Sequence, residues 1–330
     1  MTMNKKRQQQ TIVLTISTLG LMKYRRNILG RSLRSTIVEK LILMGGAKKR
    51  FGPQTDAEFA QLMAEVQAKS DVAYPNPEKW VKMPVTEVYY DGMQTFIWND
   101  QHSANQKVIL YLHGGAYINQ PTSYHFKSVA AMAKQLNAKV VLPIYPKAPR
   151  YQWTDTYPKV EMIYKELIEI TEQSNITVMG DSAGGGLALG MAMYIRDHQL
   201  PQPKDIVVLS PWVDVHTNHP NIYKYEPVDP MLSSGVVDKI GERWAGNEQA
   251  MDHPYVSPIF GNFEGLGKIS IFVGTREILY PDNEKLHELL ISKGIQHNYT
   301  VAAKMNHVYP LYPIPEAKEA QQAIVDIIRE

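Results

Sequence analysis

The sequence predicts an α/β protein whose central sheet is mostly parallel and is covered by helices on both faces. Short segments rich in Val, Ile and Leu alternate with longer segments in which apolar residues recur every three or four positions. A glycine-rich turn at residues 180–186 joins one apolar segment directly to a helical one. With 330 residues, 44% of them hydrophobic, the chain is long enough to bury the core that such a sheet needs.

Helices are predicted where apolar residues fall on one face of an α-helix. In the first of them, residues 55–70, this face holds Phe59, Leu62, Met63 and Val66. The same spacing predicts further helices at residues 123–136, 157–171, 185–195, 281–292 and 315–328.

Strands are predicted where short β-branched or apolar runs are bounded by turn residues. Asp91-Gly92, between residues 86–90 and 93–98, is a two-residue hairpin signal, so these two strands are predicted to be antiparallel. Later strands alternate with helices, which predicts parallel pairing, and they are residues 107–112, 139–144, 176–179, 205–209, 268–273 and 296–301.

The segment between residues 209 and 268 is too long for a simple connection between strands. We interpret residues 214–251 as an insertion that packs over the carboxyl ends of the strands, where ligands bind in sheets of this kind. Residues 1–80 are interpreted as a basic N-terminal segment that supplies the rest of this helical cap. Residues 81–330 then form the main domain.

The N-terminal segment is strongly basic. Residues 1–50 hold twelve of the 35 Lys and Arg residues but only one of the 33 acidic residues, Glu39. The apolar run at residues 11–22 is too short to span a bilayer, and basic residues follow it where a signal-peptide cleavage site is expected. Two interpretations stay open: a lid that packs over the body, which we favour, or an interfacial helix on anionic lipid. No recognisable fold accompanies the charge, so nucleic acid is not expected as a partner.

The turn Gly180-Asp181-Ser182-Ala183-Gly184 is the main chemical signal of the sequence. A G-x-S-x-G turn between a strand and a helix presents its serine hydroxyl as a nucleophile, although such a turn can also serve only close packing. The chain contains no cysteine, which excludes a thiol nucleophile and thiolate metal sites.

The sequence also contains candidates for the three other groups that a serine nucleophile requires: an oxyanion hole, an acid and a histidine. The stretch from His113 to Tyr117, His-Gly-Gly-Ala-Tyr, follows a predicted strand and can offer free backbone N–H groups to an oxyanion. Glu277 and His307 follow later strands, in the chain order serine, acid, histidine that α/β hydrolases use. A histidine activates the serine and a carboxylate orients the histidine. Asp282 is the reserve candidate for the acid.

With these motifs the chain resembles the hormone-sensitive-lipase-like branch of the α/β hydrolases, from about residue 107 to residue 328. Residues 229–232, 257–258 and 306–307 also fit that pattern. The resemblance implies an α/β-hydrolase fold in which Ser182 is the nucleophile and His307 the base. It also implies an oxyanion hole made by Gly115, Ala116 and Ala183, with Gly114 able to replace one donor.

Two positions depart from the family pattern. Ala116 stands where the family has a third glycine, which narrows the allowed backbone but keeps the N–H group. Glu277 stands where the family usually has aspartate, and the additional methylene requires the acid loop to lie further back.

These observations predict a serine carboxylesterase that hydrolyses small to medium acyl esters through an acyl-enzyme, with no metal or organic cofactor. Tyr117, Asp181 and Trp212 are expected to line the substrate pocket. His216, His219 and His253 are interpreted as cap-surface histidines rather than zinc ligands. A cytoplasmic protein is expected, and peripheral membrane contact and a homodimer stay open. A membrane-associated lipase and a ligand-binding protein on a hydrolase scaffold are the alternatives.

Overall fold

A computed structural model of the protein describes residues 30–52 and 54–330. Its eight strands are Val85–Tyr90 (β1), Met93–Trp98 (β2), Val108–Leu112 (β3), Lys139–Pro143 (β4), Ile176–Asp181 (β5), Asp205–Leu209 (β6), Lys268–Arg276 (β7) and His297–Asn306 (β8). Within these residues the strands form one sheet in the order β1-β2-β4-β3-β5-β6-β7-β8. The hairpin β1–β2 and the pair β2–β4 are antiparallel, and all other pairs are parallel. The mostly parallel sheet predicted from the alternation of elements is confirmed.

Helices cover both faces of this sheet. The helices are Leu33–Met44 (α1), Ala47–Arg50 (α2), Asp56–Ser70 (α3), Glu78–Val81 (α4), Ser123–Leu136 (α5), Trp153–Ile170 (α6), Ala183–Asp197 (α7), Ile222–Tyr225 (α8), Ser234–Ala245 (α9), Tyr280–Ser292 (α10) and Pro315–Arg329 (α11). Along β3, Leu110 packs into the core beneath α6 and α7, whereas Ile109 and Tyr111 pack into the core beneath α5 and α11. This alternation follows from the two-residue period of a strand, and it explains why β3 is apolar throughout.

Strands β7 and β8 are longer than predicted. They continue to Arg276 and Asn306, and these two residues pair across an irregularity near Gly274. The extensions lie partly outside the apolar core, so hydrophobic patterning does not mark them. The added length brings Glu277 and His307 to the same edge of the sheet, directly after the two strand ends.

Helices α1 and α2 were not predicted. Helix α1 begins after Ser32, whose hydroxyl caps the helix and donates to Glu316 of α11 across 2.9 Å. Further along α1, the carboxylate of Glu39 accepts two hydrogen bonds from Arg276, at 3.0 and 3.1 Å. These contacts hold the beginning of the described chain against the carboxyl edge of the sheet. The apolar run at residues 11–22 lies outside the described residues.

The long segment between β6 and β7 contains α8 and α9. Helix α9 buries Val236, Ile240 and Trp244 in the core shared with α6 and α7. The division of the chain near residue 80 stays a prediction. None of the described helices combines the length and the apolar character that crossing a membrane requires.

Candidate active site

Ser182 lies at the sharp turn between β5 and α7. Its backbone has φ 53° and ψ −125°, a conformation that costs free energy for a residue with a side chain. A Cβ atom added at Gly180 would lie 2.2 Å from the carbonyl oxygen of Gly184, and one added at Gly184 would lie 2.0 Å from that of Leu112. Both flanking positions therefore require glycine, as the motif predicts.

The structure brings Ser182, His307 and Glu277 together. The Ser182 hydroxyl lies 2.9 Å from Nε2 of His307, and Nδ1 of the same ring is hydrogen-bonded to the Glu277 carboxylate. Because a carboxylate can only accept, Nδ1 holds the ring proton and Nε2 is free to accept from the serine. All three residues are buried.

Two further hydrogen bonds fix the acid. The Glu277 oxygen that does not face His307 accepts from the Ser210 hydroxyl at 2.7 Å and from the Gly274 N–H at 2.9 Å. Ser210 also accepts from the backbone N–H of Val308, next to the histidine, at 3.0 Å. The acid and the histidine are thus held by the same serine side chain.

The charge of Glu277 governs the titration of His307. Burial by itself lowers the pKa of His307, but the negative charge and hydrogen bond of Glu277 outweigh it, so the pKa is raised above its ordinary value. Asp229 and Asp181 raise it further. The imidazole is consequently protonated, and unable to act as a base, over a wider range of acidic pH than a free histidine.

The four predicted oxyanion donors divide into two groups. The N–H of Gly114 donates to Asp181 across 2.9 Å, so it is not available to a ligand in this conformation. The N–H groups of Gly115 and Ala116 have no hydrogen-bond acceptor among the described residues. Ala183 is the first residue of α7, and its N–H has no partner within the helix. Ala116 adopts a left-handed φ of 55° in spite of its methyl group.

Asp181 anchors the loop that carries these donors. Besides the Gly114 N–H, its carboxylate accepts from the Tyr111 hydroxyl at 2.7 Å and from Nε2 of His125 at 3.2 Å. The N–H of Thr122 donates to Nδ1 of His125, which leaves the proton on Nε2. Burial raises the pKa of Asp181, but these three partners outweigh it and the net direction is down.

A cavity of about 650 Å³ opens onto Ser182 and His307. Most of its wall is apolar, and α1 with the residues that follow it forms one side. Among the lining side chains are Val38, Leu41, Ile42, Phe51, Leu232 and Leu311. The sequence predicts that the N-terminal segment forms part of the cap, but it does not predict α1 or its individual cavity residues. The feature of the sequence that could have indicated this wall is the group of apolar residues within 37–44 and at 51, inside an otherwise basic segment.

The predicted pocket residues Tyr117 and Trp212 do not line this cavity. Tyr117 is buried between two other rings, 5.6 Å from Trp212 and 4.1 Å from Trp244 between ring centroids. The stack belongs to the core beneath the carboxyl edge of the sheet, so the structure does not place these two rings at the wall of this cavity. Asp181 does reach the cavity, although its carboxylate is occupied by the loop.

Asp282, the reserve acid, is not hydrogen-bonded to His307. It lies at the beginning of α10, and burial followed by the neighbouring charge of Asp214 raises its pKa to about 7. In the part of the chain that the structure describes, no three His, Cys, Asp or Glu side chains form a group that could hold a metal. His216 instead pairs with Asp252 at 2.9 Å.

Comparisons with known proteins agree with this architecture. A triacylglycerol lipase of Mycobacterium tuberculosis is 31% identical over 66% of this chain and 45% of its own length, so the chain spans less than half of that relative. An acetyl-hydrolase of Streptomyces hygroscopicus is 28% identical over 72% of this chain and 80% of its own. An esterase of Acinetobacter venetianus is 24% identical over 69% and 75%.

Solved structures superpose over most of the chain. The crystal structure of EstE5 soaked with p-nitrophenyl butyrate has a TM-score of 0.76 at 25% identity, and it covers 90% of this chain and 98% of that one. EstE7, a hormone-sensitive-lipase homologue from a metagenome library, shares the fold with a TM-score of 0.74 at 23% identity, over 89% and 97%. The family profile described as the alpha/beta hydrolase fold matches residues 109–311, more than half of the chain. The chain therefore belongs to the α/β hydrolase family.

Proposed function

We propose that the protein is a serine carboxylesterase that hydrolyses small to medium acyl esters through an acyl-enzyme. The observation that carries the proposal is the continuous hydrogen-bonded series from Ser182 through His307 to Glu277, which opens onto an apolar cavity. The relatives named lipase, acetyl-hydrolase and esterase belong to the same class of enzyme.

In the acylation step, Ser182 Oγ attacks the ester carbonyl carbon and passes its proton to Nε2 of His307. The carbonyl oxygen becomes an oxyanion, which the N–H groups of Gly115, Ala116 and Ala183 stabilise. The bond to the alcohol then breaks, and His307 returns the proton to the departing oxygen.

In the deacylation step, water takes the place of the alcohol. His307 removes a proton from the water as it attacks the acyl carbon, and the acid is released from Ser182. Glu277 stays ionised in both steps and stabilises the imidazolium that forms each time. Its two supporting hydrogen bonds hold it in this role without further rearrangement.

Turnover of p-nitrophenyl acetate, butyrate and palmitate tests the proposal. Ser182→Ala is expected to lower kcat/KM on the preferred ester by at least about 1,000-fold. Ser174→Ala, at an exposed serine, is the control and should match the wild type. A fluorophosphonate probe should label Ser182 alone. Absence of turnover on every ester together with absence of labelling would instead support a ligand-binding protein.

A membrane-associated lipase is the second candidate, because α1 exposes large apolar side chains beside the cavity. Ile37, Leu41, Leu43 and Met44 are exposed, and Leu41 also lines the cavity. An apolar rim of this kind suits a substrate that is presented at a lipid surface. Preference for palmitate over butyrate in the same series would favour the lipase, and preference for butyrate would favour the carboxylesterase.

A further inference from the structure

Arg50, the last residue of α2, lines the same cavity as Ser182. The Nε and Nη2 atoms of its guanidinium are buried and have no hydrogen-bond partner among the described residues. A guanidinium is charged at every physiological pH and carries five N–H donors. Leaving such donors buried and unsatisfied costs free energy, so the site favours a ligand that can accept from them.

No acidic side chain among the described residues forms an ion pair with Arg50. Among the described residues that line the cavity, the only acid is Asp181, and its two carboxylate oxygens are occupied by Gly114, Tyr111 and His125. The cavity therefore combines an unneutralised cation with a mostly apolar wall.

The neighbouring cations differ from Arg50. The ammonium of Lys48 donates to the backbone carbonyl oxygens of Glu226 and Asp229, so it ties α2 to the segment around α8. Lys69 lines the cavity but is exposed, where water solvates its charge. Of these three cations, Arg50 is the one whose buried donors have no hydrogen-bond partner among the described residues.

We propose that Arg50 binds an anionic group of the substrate, so that the preferred esters carry a carboxylate beyond an apolar portion. This inference rests on the proposed esterase function and narrows its substrate class. The planar guanidinium suits a carboxylate because two parallel N–H donors can meet its two oxygens. A cavity of about 650 Å³ has room for such an ester. The bound anion takes no part in bond breaking, which stays with Ser182 and His307.

Two matched pairs of esters test the proposal on either side of the scissile bond. Mono-(4-nitrophenyl) glutarate against 4-nitrophenyl pentanoate places the charge on the acyl side. 4-Butanoyloxybenzoate against phenyl butanoate places it on the alcohol side. The wild type is expected to have a higher kcat/KM for the anionic ester in at least one pair.

Arg50→Gln should lower the ratio of anionic to neutral kcat/KM in that pair by about 10–100-fold, mainly through KM, because a charge-assisted hydrogen bond is lost. For Arg50→Lys, this ratio should lie between those of the wild type and Arg50→Gln, since lysine keeps the charge but lacks the two parallel N–H donors of the guanidinium. Lys69→Gln, which removes the exposed cation of the same cavity, should change the ratio by less than about threefold because exposed charges are screened. The thermal midpoint of each variant checks that it folds.

A ratio that does not respond to Arg50→Gln, or that responds equally to Lys69→Gln, would overturn the proposal. Calorimetric binding of glutarate to Ser182→Ala, with and without Arg50→Gln, separates this outcome from failure of the esterase function. If the wild type hydrolyses none of the esters but Ser182→Ala binds glutarate in a manner that depends on Arg50, the anion site is sustained and the esterase function is rejected. If neutral esters are hydrolysed but glutarate does not bind and neither anionic ester is preferred, the esterase function is sustained and the anion site is rejected.

Discussion

At Glu277 the chain carries one methylene more than the aspartate that the family pattern favours. The longer side chain still orients His307, because the Gly274 N–H and the Ser210 hydroxyl hold its second oxygen on the far side. The carboxylate is thereby fixed by three hydrogen bonds. The hydrogen bonds from Gly274 and Ser210 therefore accommodate the longer glutamate side chain at a position where the family usually has aspartate.

Replacing Glu277 by glutamine tests its electrostatic role. We expect Glu277→Gln to lower kcat by about 1,000- to 10,000-fold, because the amide neither holds the required tautomer nor stabilises the imidazolium. It should also lower the pKa of His307, whose raised value depends chiefly on this charge. The acid limb of the kcat/KM profile should then move to lower pH. Glu277→Asp keeps the charge and should leave that limb near its wild-type position, whereas an unmoved limb in Glu277→Gln would contradict the assignment.

In the proposed reaction, Asp181 acts indirectly, by holding the loop that carries the predicted oxyanion donors. Asp181→Asn replaces one acceptor oxygen by a donor, so the hydrogen bonds from Gly114, Tyr111 and His125 cannot all be kept. We expect kcat to fall by about 10–100-fold with a smaller change in KM, since the loop donors act mainly in the transition state. Tyr111→Phe removes one of the three hydrogen bonds and should have a smaller effect on kcat. Equal losses in kcat and affinity would instead indicate a general disruption of the cavity.

At the scale of elements, the first turn of α10 contains the buried carboxyl group of Asp282, whose charged form is disfavoured by burial and by a neighbouring acid. Asp282 lies beside Asp214, and its Oδ2 has no partner among the described residues. Its pKa in the folded protein, about 7, lies above the ordinary value of 3.8. The folded state therefore binds more protons than the unfolded state between these values, and the contribution of Asp282 to stability falls as pH rises from about 4 to 7.

Asp282→Asn removes the charge at nearly constant shape. The free energy of unfolding should increase more at pH 8 than at pH 5, by about 1–3 kcal/mol, because only the higher pH ionises the wild-type carboxyl in the folded protein. Urea unfolding at the two pH values measures the difference. Equal changes at both pH values would show that the carboxyl does not titrate with a raised pKa.

The elements that could be predicted from the sequence are those whose apolar pattern is buried. Strands β3 to β6 are buried along their whole length and consist mostly of apolar residues. The proposed triad residues could be predicted because each follows a strand end in the sequence. Helix α1 was not predicted because its apolar residues do not lie on one face of the helix. Several of the large ones are exposed to solvent. Tyr117 and Trp212 were assigned to the pocket because composition does not distinguish a cavity wall from a ring stack in the core.

For the molecule as a whole, charge is distributed unevenly along the chain, because residues 1–50 hold twelve basic and one acidic residue whereas the remainder holds 23 basic and 32 acidic residues. We expect the full chain to sediment with vesicles that contain phosphatidylserine and less with vesicles of phosphatidylcholine alone. Removal of residues 1–26 should reduce the binding severalfold, and 0.5 M salt should have the same effect by screening. Equal sedimentation of both forms would reject a lipid-binding role for this segment.

One side of the cavity comes from a single continuous stretch, residues 30–52, which is fastened to the body through Ser32, Glu39 and Lys48. The proposed catalytic residues Ser182, Glu277 and His307 lie at the edge of the sheet behind it. In the proposed esterase, the cavity wall formed by residues 30–52 and the residues that act on the ester therefore lie in separate stretches of the sequence. We expect that exchanging residues 30–52 between homologues that keep Ser32, Glu39 and Lys48 would transfer substrate preference. The proposed catalytic residues would be unchanged in such a chimera.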